Sequence, residues 1–194
     1  MKNSVKKEVE KIIKKEKLNC SIEEFKNYVG WRDISFFQIL SEDFIREFSD
    51  CVIWQNISHK QELSEDFIRE FEDEVDWGWI SWRQKLSEGF IREFQDKLEW
   101  ENISSKQILS ENFIREFEYK LDWDDISRFQ TLSEEFIKEF KDKVIWWRIS
   151  KYQQLSLDFL REFKDKIDLD LVIKNQKCIK DLVFNHIFNK KKNK

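Results

Sequence analysis

The pattern W-x-x-I-S-x-x-Q-x-L-S-x-x-F-[I/L]-[R/K]-E-F occurs six times in register, beginning at Trp31, Trp54, Trp77, Trp100, Trp123 and Trp146. A step of 23 residues held over most of a 194-residue chain means one small supersecondary unit stacked on copies of itself. Length therefore counts units and not separate globular cores. Aromatic residues make up 15% and recur at fixed places, which excludes disorder. Proline is absent and glycine occurs only at Gly30, Gly78 and Gly89. All-β folds and phosphate-cradling loops, which need turn residues and bare backbone, are disfavoured with them.

Each unit divides into two short helices. In the first copy Trp31, Ile34, Ser35 and Gln38 share one helical face, and Leu40-Ser41 interrupts the pattern. Ser41 reads as an N-cap, with Glu42 and Asp43 in the first turn and Leu40 placed to staple onto Ile45. The stripe Phe44, Ile45, Phe48 and Val52 predicts the second helix. Helices of about 8 and 11 residues with two-residue joints fill the period, each too short to stand without its neighbours. A continuous rod or coiled coil is the competing reading, disfavoured because 23 is not a multiple of seven and a cap recurs in every copy. The expected fold is all-α, an α-solenoid of helix-turn-helix repeats.

The repeats occupy 30–168, flanked by an N-terminal cap (1–29) and a C-terminal cap with a basic tail (169–194). Val5, Val9, Ile12 and Ile13 form an amphipathic stripe, and Ile22, Phe25 and Val29 match Ile45, Phe48 and Val52. At the far end Leu169, Val172 and Gln176 fall on the Trp, Ile and Gln columns, and Leu182-Val183 on the Phe-Ile pair. Both ends are Lys-rich. They carry +4 each over residues 1–17 and the last six residues, which leaves 18–188 with −12.

The constant columns read as structure. Trp is expected between helices, Gln on a backbone group of a helix end or a neighbouring repeat, and Arg46 and its equivalents between carboxylates such as Glu42 and Asp50 on their own helix. The four positions opposite the buried stripe of the first helix change in every copy. They gather Phe36 and Phe37; Trp79, Trp82 and Arg83; Arg128 and Phe129; and Trp147, Arg148 and Tyr152, residue types enriched at binding hot spots. A freely drifting solvated face is the competing reading; the clustering of large rings favours recognition.

Catalysis has no constellation. His59 and His186 hold unrelated positions, and Cys20, Cys51 and Cys178 are far apart without metal-ligand spacing, so neither enzyme activity, cofactor nor metal is expected. With no apolar run long enough to span a bilayer and no hydrophobic stretch after the Lys-rich start, the expectation is an intracellular, cytoplasmic protein with no membrane partner.

The string L-S-E-x-F-I-R-E-F joined to W-x-x-I-S-x-x-Q, clearest at Leu63–Phe71 and Trp146–Gln153, resembles tandem-repeat proteins of large DNA viruses of the mimivirus type. The likeness covers about residues 25–168 and departs at both ends and at Leu169, where Trp is expected. It implies a viral origin and action in the host cytoplasm, and names no site or activity. The expected function is a non-enzymatic scaffold that binds another protein through the variable face. The alternatives are a modular single-stranded nucleic-acid reader, helped by a +3 variable face but opposed by the acidic array, and a self-assembling structural component.

Overall fold

A computed structural model describes residues 1–175. Among them every regular element is helical, and the helices recur with the 23-residue period as an α-solenoid. They form two compact units, one of residues 1–99 and one from Trp100 onward. The first contains α1 (Asn3–Glu16), α2 (Phe25–Tyr28), α3 (Trp31–Phe37), α4 (Glu42–Glu47), α5 (Trp54–Lys60), α6 (Glu65–Glu70), α7 (Trp77–Arg83) and α8 (Glu88–Glu93). The second contains α9 (Trp100–Lys106), α10 (Glu111–Glu116), α11 (Trp123–Phe129), α12 (Glu134–Glu139), α13 (Trp146–Tyr152), α14 (Leu157–Glu162) and α15 (Leu169–Asn175). No helix among the described residues is long and apolar enough to cross a membrane.

The helices are shorter than the apolar spacing implies, seven and six residues in each repeat. The second helix stops where Phe48 takes φ −118°, ψ 29°, and the chain continues in turns, with Cys51 N–H and Val52 N–H both donating to the Phe48 carbonyl. Val52 is buried from that turn instead of from a third helical turn. This tight return brings the next Trp against the same core: the Trp54 ring lies 4.8 Å from Phe71, and its indole N–H donates to the Ser49 carbonyl. The six Trp rings are half-buried, so they seal the core's edge; the fully buried rings are Phe25, Phe44, Phe67, Phe90, Phe113, Phe136 and, nearly so, Phe159.

Each constant polar residue satisfies backbone that short helices leave orphaned. The Ser41 hydroxyl accepts from Phe44 N–H as the cap of α4, and the same bond recurs at every second helix. The other Ser column links repeats: Ser35 Oγ donates to the Trp31 carbonyl and accepts from Ile53 N–H at 3.0 Å, and Ser127 accepts likewise from Ile145 N–H. The buried Gln column is the strongest clamp. Gln61 Oε1 accepts from Leu40 N–H at 2.9 Å while Nε2 donates to the carbonyls of Gln38 and Ser35; Gln130 does the same to Leu109, Gln107 and Ser104.

The Arg column is neutralised, but chiefly across repeats. Arg46 reaches Glu42 on its own helix at 3.5 Å and Glu70 of the next repeat at 2.6 Å, and Asp50 pairs instead with Lys26. Arg69 meets Glu93, and in the second unit Arg115 meets Glu139 and Lys138 meets Glu162. A 23-residue repeat made of two helices sets each second helix beside its successor, a partner that spacing within one helix does not reveal.

At the start, α1 stands in for a preceding repeat. Val5, Val9 and Ile12 are buried, and Glu8 accepts from the Ser41 N–H, the bond that Glu42 makes with Ser64 and Glu65 with Ser87. Gln38, with no earlier repeat to clamp, bonds Lys15 and Glu16 of α1. Phe25 is fully buried beside Trp31 and Phe48. In α15 Val172 is buried, and Asn175 donates to the Gln153 carbonyl at 3.2 Å. Gln176, Cys178, Leu182, Val183, His186 and the basic tail lie outside the described residues.

Candidate functional site

Because Trp, Ile, Ser and Gln turn inward, the variable positions of each first helix are left facing away from the core. In the first unit they form a row of rings across three helices. Phe36 on α3 meets Phe37 edge-on at 4.9 Å and lies 6.1 Å from His59 on α5. The His59 imidazole lies 3.9 Å, centroid to centroid, from Trp79 on α7, and Trp79 meets Trp82 edge-on at 5.6 Å. Phe37 is 68% exposed and Trp82 38%, whereas Phe36 and Trp79 are half-buried within the row. Cations flank the rings, with Lys60 Nζ 4.2 Å above Phe36 and the Arg83 guanidinium 5.9 Å from Trp82. Burial, Lys60 and Arg83 together hold the His59 imidazole below its ordinary pKa.

The second unit builds a different arrangement. The Arg128 guanidinium lies 4.5 Å from Phe129 and 5.5 Å from Tyr152 of the next repeat, joining α11 to α13. Trp147, 45% exposed, is covered by Arg148 at 3.7 Å. Arg148 is not a free anchor as its sequence position suggests: it pairs with Asp124 at 2.8 Å, which raises the guanidinium's pKa and lowers the carboxyl's. Lys151 lies 5.0 Å from the Tyr152 ring and heads the causes that lower the phenol's pKa, before Arg128 and Arg148. The first helix α9 carries Glu101, Asn102, Ser105 and Lys106 at these positions and no ring.

All ten sequence-predicted residues thus sit on first-helix surfaces, one group within each unit. His59 and Lys60 were not singled out by sequence, yet they connect the first row. The signal was present in the period: His59 precedes Trp79 by 20 residues, which places the two on successive first helices.

One member of this face is strained electrostatically. Burial, then the carboxylates of Asp122, Asp124 and Glu101, push the Asp125 carboxyl above its ordinary pKa. Ionised Asp125 therefore opposes folding at neutral pH, and the opposition is relieved as pH falls through that raised value. The same column holds Asn56, whose amide donates to the Arg32 carbonyl one repeat earlier. Asp125→Asn should remove the repulsion and offer that bond to the Glu101 carbonyl, raising the melting temperature by about 2–4 °C in calorimetry. A lowered melting temperature would show that Asp125 supports the stack.

Among the described residues no group of three or more His, Cys, Asp or Glu is placed to hold a metal ion. A depression of about 290 Å³ lined by Arg32, Asp33, Phe36, Phe37 and Asn56 opens on the ring row. Comparison with protein-family models, with curated proteins and with solved structures returned no match to this chain.

Proposed function

We propose that this chain is a non-enzymatic binding module that recognises another protein through the variable face of its first helices. The observation that carries the reading is the division of labour between positions. The constant Ser, Gln, Phe and Arg columns are occupied by bonds and packing within and between repeats, while the positions that vary present rings and cations outward. Exposed rings beside arginine and lysine are the composition of interface hot spots, and an array of repeats suits an extended target. The resemblance to viral repeat proteins makes host cytoplasmic proteins the first class to search.

The test is affinity capture from a cell extract with the parent and with a variant carrying Ala at Phe37, Trp79, Trp82, Trp147 and Tyr152, both shown equally helical by circular dichroism. A protein retained by the parent and lost by the variant supports the reading. Identical captures would refute it. Retention of RNA that collapses steeply with added salt would favour the nucleic-acid alternative. Concentration-dependent oligomers dissolved by Trp79→Ala with Trp82→Ala would favour self-assembly.

A further inference from the structure

We propose that the α3–α5–α7 face binds an extended acidic peptide whose carboxylates stand three residues apart and whose intervening residues are apolar. This rests on the protein-binding reading and deepens it by naming the partner's chemistry.

The cations of the first unit differ in whether they are paired. On the second-helix side of the first unit, Arg46 and Arg69 each bond a carboxylate of the next repeat, and Lys26 and Lys97 are likewise paired. The ring row is different. Lys60 and Arg83 lie over aromatic faces, and among the described residues neither they nor Arg32 form an ion pair. Lys60 and Arg83 stand in the last turns of α5 and α7, whereas the carboxylates on this face, Asp33 in the first turn of α3 and Asp76 and Glu99 around Gly78, stand at the opposite helix ends, in a chain whose net charge is −4. In an acidic protein, unpaired positive charge concentrated beside exposed rings complements a ligand that is negative and partly apolar.

Spacing gives the register. Lys60 and Arg83 occupy the same position in successive repeats, α5 and α7 pack side by side, and packed helices lie about 8–10 Å apart. A ligand in the extended polyproline II conformation advances about 3.1 Å per residue and returns every third side chain to the same face, so one repeat corresponds to roughly three residues of ligand. A carboxylate at i then meets Lys60 and one at i+3 meets Arg83, with apolar side chains between them lying on Trp79 and Trp82.

The rings argue against a nucleic acid here. Base stacking needs free aromatic faces. One face of His59 is taken by Trp79, and one of Phe36 by Lys60. The repeat region is also acidic, at −12 over residues 18–188, which repels a polyphosphate more than a short peptide whose few charges are matched.

The experiment is fluorescence anisotropy of labelled peptides of about ten residues in extended design. One has Glu at every third position with Phe and Leu between. Companions replace Glu by Gln, replace Glu by Lys, or place the same Glu residues consecutively, and an oligouridylate of similar length completes the set. The proteins are the parent, Lys60→Glu with Arg83→Glu, Lys60→Arg with Arg83→Lys, and Trp79→Ala, each checked for helicity. The every-third Glu peptide should bind the parent at least about tenfold more tightly than its Gln or consecutive-Glu companions. Charge reversal should remove that advantage and the charge-preserving exchange should keep it.

Equal binding of the Gln or Lys peptide, lost with Trp79→Ala, would overturn the acidic assignment while leaving the face as a protein-binding surface. Tighter binding of the oligouridylate would overturn both. Binding of no peptide at about millimolar concentration would overturn the inference alone, since the capture experiment decides the broader reading independently.

Discussion

Gln130→Leu is expected to lower the free energy of unfolding by about 3 kcal/mol in urea titration. Gln130 is 5% exposed, and its amide alone accepts from Leu109 N–H and donates to the carbonyls of Ser104 and Gln107 at 3.1 and 2.8 Å. Leu fills similar space but leaves three backbone groups of the preceding repeat without their partner. Each buried orphan costs about 1–3 kcal/mol, offset in part by the added apolar burial and by relaxation. Gln38→Leu supplies the contrast. Its amide bonds only the Lys15 and Glu16 side chains at the end of the stack, so the loss there should stay below about 1 kcal/mol. Equal losses at the two positions would show that the Gln column does not clamp repeat to repeat.

Phe136→Ala is the second large effect, about 3–5 kcal/mol. The ring is fully buried, 4.6 Å from Phe140 and 6.3 Å from Trp123, so truncation opens a cavity that two adjoining rings cannot fill without leaving their own contacts. Trp147→Ala removes a larger side chain at a cost below about 1 kcal/mol, because that ring is 45% exposed and covered by one arginine. Calorimetry of both variants separates residues that hold the stack from residues that merely ride on it. A Trp147 variant as unstable as the Phe136 variant would mean that the variable face is structural.

These contrasts also explain what could be read from the sequence. The period, the all-α class and the Ser41-type caps were legible because each is a local pattern, repeated often enough to exclude chance. The Gln column was legible in kind, since an amide on an apolar face must satisfy something, but its three acceptors and donors belong to the preceding repeat and only the stack reveals them. Helix length is not legible for a definite reason: Val52 at the eighth position after Phe44 fits a third helical turn as well as it fits the bend that begins at Phe48. Arg46 meets Glu42 on its own helix, the neighbour that sequence displays; its shorter bond is to Glu70, 24 residues away, which sequence does not display.

The candidate face was legible as a set of variable rings, and not as contacts. His59 looks isolated in sequence and is the link between Phe36 and Trp79 in space. Arg148 reads as an anchor and proves to be held by Asp124. Both differences arise from pairings between repeats, which the period makes regular but does not itself name.

The central claim is that the constant columns build the stack and the variable face does the binding. Hydroxyl-radical footprinting of the protein alone and bound to its captured partner tests it most directly. The account predicts that Phe37, Trp82, Phe129 or Trp147 lose reactivity on binding, while Tyr119, 87% exposed outside the first helices, does not. Protection of Tyr119, or of the Arg46-bearing helices, with the variable rings left fully reactive would contradict it.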